Sequence, residues 1–206
     1  MVFAKAPEPG RVKTRLLLPP ETAAAVHEAF VRDVVARHQR PGRRITVWRA
    51  GAQDHPLWAG LDARLASQQG VDLGARMAHA FATELEADAR VVIIGTDSPT
   101  LPPRLVDEAF ALLDEVPVVV GPACDGGYYL MGARGAVPPC FEGLAWGGDQ
   151  VLLDTLDALA EVPHRLLPFW YDVDRPADLL LLRRHLRALP PTERPKRTEQ
   201  ILETLR

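Results

Sequence analysis

The chain has 206 residues, 47% hydrophobic and 25% charged, an ordinary globular composition that excludes disorder and collagen-like structure and suits one domain. Its 24 Lys and Arg against 27 Asp and Glu leave a net charge of −3, so no overall basic field draws it to nucleic acid. Cys124 and Cys140 form neither a disulfide framework nor a CxxC pair.

Residues 1–15 lack the apolar centre of a signal peptide, and no apolar run approaches the roughly 18 residues that cross a bilayer. The expectation is a cytoplasmic protein with no membrane insertion. Residues 1–6 are apolar and run into Pro7-Glu8-Pro9-Gly10, a strand entering a loop. It is short for a first strand, which is either clipped here or starts upstream. Val26, Phe30, Val31 and Val34 recur at helical spacing within residues 21–40, and Pro41-Gly42 stops that helix. Residues 44–48 alternate around Ile45 and Val47 as a strand, and 63–68 read as a weaker one. Asp72 suits the N-cap of a helix containing Met77, Ala80, Phe81 and Leu85.

Residues 90–95 carry Val91-Val92-Ile93-Ile94, a continuous β-branched run of the kind buried on both faces of a parallel sheet, and are expected to form a central parallel strand. Beyond it, 105–113 read as helix, 117–120 and 128–131 as strands, 149–160 as helix, 166–173 as strand and 177–188 as helix. Alternating strands and helices imply an α/β fold, a three-layer sandwich with a mainly parallel central sheet. Residues 1–190 form the expected domain, with 191–206 a C-terminal appendix packed on it.

Ligands of open α/β sheets sit beyond the carboxyl ends of the strands, so the loops leaving the strands are the place to look for chemistry. After the first strand, Arg11, Lys13 and Arg15 place three cations within five residues, with Lys5 at the start of the loop, able to surround a polyphosphate. Gly10 stands three residues before Lys13, so the GxxxxGK[ST] phosphate loop is not matched. A solvated charged loop is the plainer alternative. Asp97, in Gly95-Thr96-Asp97-Ser98-Pro99, follows the buried strand directly, where a Mg²⁺ or Mn²⁺ ligand would be presented, although it could simply cap the next helix. Asp125-Gly126-Gly127 signals a hairpin whose glycines would let a substrate approach, or a plain turn. Asp172 and Asp174, two apart before a helix, could complete a metal site or cap that helix, and periodicity does not choose between them. His27, His38 and His185 fall in helix patterns without metal-ligand spacing, and Trp48, Trp58 and Trp170 read as packing.

Taken together, FAKAPEPGRVKTRL, GTDSPTLP, GPACDGGYYLMG and DVDRPADL, in this order over residues 1–190, resemble a bacterial family of GT-A-fold nucleotide-diphospho-sugar transferase-like proteins. That family is associated with radical-SAM, selenodomain and arsenosugar gene neighbourhoods, and more distantly the segments resemble molybdopterin and phospholactate guanylyltransferases. The resemblance implies a phosphate loop of Gly10, Lys13 and Arg15 with Lys5 and Ala6 beside it. It makes Asp97 and Asp174 the divalent-metal pair, with Asp97, Lys13 and Arg15 the catalytic groups. It also lays Gln69, Gly70, Gly74 and Arg76 along a nucleotide base, the glycines admitting a flat ring, and borders the sugar or acceptor with Asp125, Gly126, Gly127 and Tyr128. Arg175 in place of threonine, Ala177 in place of glutamate, and a looser Trp146-Gly147-Gly148 segment depart from the family pattern on the acceptor side.

The function this implies is a Mg²⁺- or Mn²⁺-dependent transferase, moving a glycosyl group from a nucleotide sugar to a small-molecule acceptor. One alternative is a nucleotidyltransferase that releases pyrophosphate from a nucleoside triphosphate. Another is a catalytically silent nucleotide-binding module.

Overall fold

The computed structural model describes residues 1–86 and 88–205. In chain order the elements are β1 (Val2–Lys5), α1 (Pro20–Arg37), β2 (Thr46–Ala50), α2 (Pro56–Ala59), β3 (Arg64–Ser67), α3 (Leu73–Glu84) and β4 (Arg90–Ile94). They continue with α4 (Pro103–Leu112), β5 (Val118–Pro122), β6 (Tyr128–Arg134), α5 (Val151–Ala158), β7 (His164–Leu166), α6 (Pro176–Ala188) and α7 (Lys196–Thr204). Helices flank strands throughout, an α/β sandwich with a mixed, mostly parallel central sheet. Among the described residues no helix is long and apolar enough to cross a membrane.

The chain divides into two compact units. The loop unit comprises residues 2–67, 96–101 and 172–206. Its strands β1, β2 and β3 are parallel, Val2 opposite Val47 and Val47 opposite Leu65. The long helix α1 starts at Pro20, whose missing N–H costs nothing in the first turn, and buries Val26, Phe30, Val31 and Val34. On α1, buried Asp33 accepts hydrogen bonds from the Arg197 and Thr198 amides at 3.2 and 2.7 Å, so one carboxylate satisfies two of the free donors at the start of α7.

The hairpin unit comprises residue 1 and residues 68–95 and 102–171. Asp72 caps α3, its carboxylate accepting from the Ala75 amide at 2.8 Å. Val91 to Ile94 are buried as expected, and β4 is bonded along both edges. On one edge the Met1 amino group donates to the Val92 carbonyl and the Ile94 amide donates to the Met1 carbonyl. The other edge corrects the expectation of a parallel partner: β6 runs antiparallel to both β4 and β5. The Asp125-Gly126 turn dictates the β5–β6 direction, because a hairpin returns the chain antiparallel to the strand it leaves. The expected strand over 166–173 lies earlier, at β7, parallel to β5. Pro168 has no N–H to offer the ladder, and beyond it only an isolated Trp170–Ala123 bridge continues the pairing. The short helix α2 and the 3₁₀ turns Thr14–Leu16 and Pro191–Glu193 carry no periodicity long enough to announce them.

Candidate functional site

The loop leaving β1 turns at Gly10, φ 74°, with the Arg11 amide bonded to the Glu8 carbonyl at 3.0 Å. Arg11 and Arg15 stay exposed while Val12, Lys13 and Leu16 turn inward. What sends Lys13 inward is its backbone, which sits in the left-handed region at φ 49° and ψ 31° immediately before the 3₁₀ turn. That conformation costs a non-glycine residue about 1–2 kcal/mol, and it persists because the side chain is held firmly.

Lys13 Nζ donates to the Val173 carbonyl at 2.7 Å and to Asp174 Oδ1 at 2.8 Å, and lies 2.5 Å from Asp97 Oδ1. Its side chain is 2% exposed, whereas those of Asp97 and Asp174 are 44% and 35% exposed. The ammonium is therefore buried, and the carboxylates that neutralise it open toward water. The ring of Phe30, on α1, lies 5.5 Å from the ammonium. Burial works against the charge on Lys13, but the two carboxylates outweigh it and raise its pKa above the ordinary 10.5. For Asp97 burial works upward, the Lys13 charge works downward, and the net direction is below 3.8. Asp97 is thus a half-exposed member of a charge cluster.

A backbone bond fixes the two acidic loops to each other, the Val173 amide donating to the Asp97 carbonyl at 2.9 Å. Asp172 and Asp174 part company here: Ser98 Oγ donates to Asp172 Oδ1, and Lys13 takes Asp174. Neither caps α6 with its side chain in the expected way. The carboxylate of Asp178 does so, accepting from the Asp174 and Arg175 amides at 3.0 and 2.7 Å. His27, one turn before Phe30 on α1, places Nε2 3.1 Å from the Lys5 carbonyl and so ties the end of β1 to the helix. Burial lowers its pKa, which keeps it neutral and suited to donate that bond. The i, i+3 spacing of His27 and Phe30 on an otherwise apolar face was the available sequence signal.

Over residues 33–148 the sequence matches the family described as "Uncharacterized protein conserved in bacteria (DUF2064)". The chain belongs to that family. It is also 36% identical to a protein from Desulfovibrio desulfuricans G20 described as a candidate nucleotide-diphospho-sugar transferase, across 98% of this chain and 92% of that one, with a TM-score of 0.88. The fold is thereby of the GT-A, nucleotide-diphospho-sugar transferase type. More remote structures share the fold alone. A cytidylyltransferase from Leptospira borgpetersenii is 10% identical over 99% of this chain and 91% of that one, TM-score 0.58. Molybdopterin-guanine dinucleotide biosynthesis protein A from Archaeoglobus fulgidus is 14% identical over 98% of each chain, TM-score 0.52. No curated protein matches the sequence.

The other site residues inferred from family resemblance lie in the hairpin unit, apart from exposed Lys5 and buried Ala6. Gln69 is exposed, and the Arg76 guanidinium folds back to donate to the Gly70 carbonyl at 3.1 Å. At Gly74 the missing side chain leaves room that the chain's own residues use. A Cβ there would stand 2.2 Å from the Phe141 carbonyl and 2.6 Å from the Trp146 indole, so the chain itself fills the space. Gly126, φ 92°, is likewise covered, with the Asp149 carbonyl 2.1 Å from where its Cβ would be. Asp125 Oδ1 accepts from the Gly127 amide at 3.0 Å, an Asx-turn inside the hairpin. The Tyr128 hydroxyl reaches Met77 Sδ at 3.8 Å, and burial pushes its pKa well above 10. Among the described residues no three His, Cys, Asp or Glu side chains cluster as metal ligands. The convergence at Lys13 instead combines two carboxylates with one backbone carbonyl.

Proposed function

We propose that this family member is a divalent-metal-dependent transferase acting on a nucleotide-linked donor, with glycosyl transfer from a nucleotide sugar to a small acceptor as its reaction. One observation carries the reading: Asp97 Oδ1, Asp174 Oδ1 and the Val173 carbonyl all point at a single cation, the Lys13 ammonium, beside a loop that leaves Arg11 and Arg15 exposed. Three hard oxygens around one positive charge suit Mg²⁺ or Mn²⁺, ions that take one or two protein carboxylates and complete their shells with phosphate and water. Asp97 and Asp174 would hold such an ion, which would supply Lewis-acid stabilisation to a phosphate leaving group.

In this reading Arg11 and Arg15 meet the diphosphate with charge-assisted donors, and Gly10 lets the loop turn tightly enough to present them. Arg15 and Lys13 stabilise charge as it develops on the departing phosphate. Asp97 holds the cation site from the loop that carries Ser98, its backbone carbonyl fixed by the Val173 amide. The acceptor provides the nucleophile. Nucleotidyl transfer needs the same cradle and is the second reading, favoured by the likeness of fold to the Leptospira cytidylyltransferase.

Thermal unfolding with Mn²⁺ and a panel of nucleotide sugars and nucleoside triphosphates tests the choice through ligand linkage. Stabilisation by one nucleotide sugar above all triphosphates supports glycosyl transfer. A triphosphate leading by a wide margin replaces it with nucleotidyl transfer, and no response to any nucleotide removes both.

A further inference from the structure

An ammonium has three N–H donors and no acceptor. Those of Lys13 are fully engaged, by the Val173 carbonyl, Asp174 and Asp97, with the Phe30 ring near the same group. Nothing of this lysine is left to offer a phosphate while it stays there. Yet it occupies the point on which the oxygens suited to a divalent ion converge, so a metal and the ammonium need the same place.

We propose that Lys13 is a cation latch: its ammonium and the divalent ion are mutually exclusive partners of Asp97 and Asp174, and the phosphate of an incoming donor exchanges one for the other. The inference rests on the metal-dependent transferase reading above. The exchange conserves ion pairing, since phosphate takes the ammonium while the ion takes the carboxylates. Without the phosphate, metal entry would set two cations a few ångströms apart in a partly desolvated loop cluster or leave the ammonium with no counter-charge, and both are costly. Metal and nucleotide affinities are thereby coupled, each raising the other by the same factor. A lysine that only binds phosphate would leave the affinity for metal alone untouched.

The test measures Mn²⁺ binding without nucleotide, by electron paramagnetic resonance of the free ion, in wild type, Lys13→Met and Lys13→Gln. The latch predicts at least tenfold tighter binding in both variants than in wild type, with the gain lost in Lys13→Met/Asp97→Asn. Equal binding in all three overturns the latch. Titrating wild type with a nucleoside diphosphate then tells the two failures apart. Mn²⁺-dependent binding leaves the transferase reading standing, and Mn²⁺-independent binding removes it as well. Should both variants fail to fold, the ¹⁵N resonance of the Lys13 ammonium in wild type decides. It should be unchanged by Mg²⁺ alone and shift when Mg²⁺ and a nucleoside diphosphate are both present. A resonance that moves with Mg²⁺ alone, or stays fixed with both, overturns the proposal.

Discussion

The loop unit and the hairpin unit each contain segments with the same outward mark, glycine and charge in a loop leaving a strand, yet the two spend those residues differently. In the hairpin unit, Gly74 and Gly126 are demanded by the chain's own Phe141, Trp146 and Asp149, and Asp125 closes a turn. In the loop unit, Gly10 has nothing within 4 Å of its missing Cβ, and a lysine is buried between two half-open carboxylates. Glycine in a loop is therefore ambiguous, because close approach by the protein's own backbone and by a ligand ask for the same residue. A buried ammonium is less ambiguous. Desolvation obliges it to find partners, and carboxylates left open to solvent on their other side can be reached by a cation that takes the ammonium's place.

The contrast breaks first at Gly126. Gly126→Ala puts a methyl group onto the Asp149 carbonyl at φ 92° and should cost about 2–4 kcal/mol in denaturant unfolding, the sum of crowding and backbone strain. Gly10→Ala, strained by φ alone, should cost only about 1–2 kcal/mol. Equal losses would mean that the two glycines do the same work.

Lys13→Met should come next on stability, at about 1–3 kcal/mol, less than a fully buried pair because both carboxylates are more than a third open to water. Its pH dependence has a defined sign. The Asp97 pKa is depressed, so its contribution is present above about 3.8, its unfolded value, and is lost as pH falls through the lower folded one. The Lys13 pKa is raised, so its contribution is complete below 10.5 and is lost as pH rises through the higher folded value. The stability gap between wild type and variant should therefore be flat across neutral pH and narrow at both extremes, as read from urea midpoints. A gap that widens below pH 4 contradicts the pairing.

Asp178→Ala separates capping from cation binding. Removing the acceptor of the Asp174 and Arg175 amides should cost about 1 kcal/mol and leave Mn²⁺ binding intact. Asp174→Asn, which keeps that cap, should weaken Mn²⁺ binding instead. The smallest change in stability belongs to Arg15→Ala, within about 0.5 kcal/mol because the residue is exposed. The same substitution should weaken diphosphate binding about tenfold or more by calorimetry, through loss of a charge-assisted donor.

Local chemistry made much of the fold legible. The β-branched run Val91 to Ile94 reads as a buried strand because no polar residue interrupts it, and Asp72 reads as a cap because its side chain acts within one turn. Long-range pairing was less visible. The antiparallel course of β6 follows from the Asp125-Gly126 turn, but the residues of β6 themselves carry no mark of direction. The displacement of β7 depended on where Pro168 falls relative to the ladder of β5. Within the site, the charged residue types were evident and their division of labour was not. Arg11, Lys13 and Arg15 are evenly spaced, and only the left-handed backbone at Lys13, which has no sequence signature in a lysine, turns that one inward. Asp172 and Asp174 stand two apart, and it takes Ser98, distant in sequence, to bind one and leave the other to Lys13.

Calorimetric titration of a nucleoside diphosphate into wild type and Asp97→Asn, each with and without Mn²⁺, addresses the central claim that the Asp97–Asp174 pair is a cation site coupled to phosphate binding. Wild type should bind the nucleotide at least tenfold more tightly with Mn²⁺ than without it, and Asp97→Asn, still folded by circular dichroism, should show no such gain. A Mn²⁺ gain of the same size in both proteins, or none in wild type, would contradict the account.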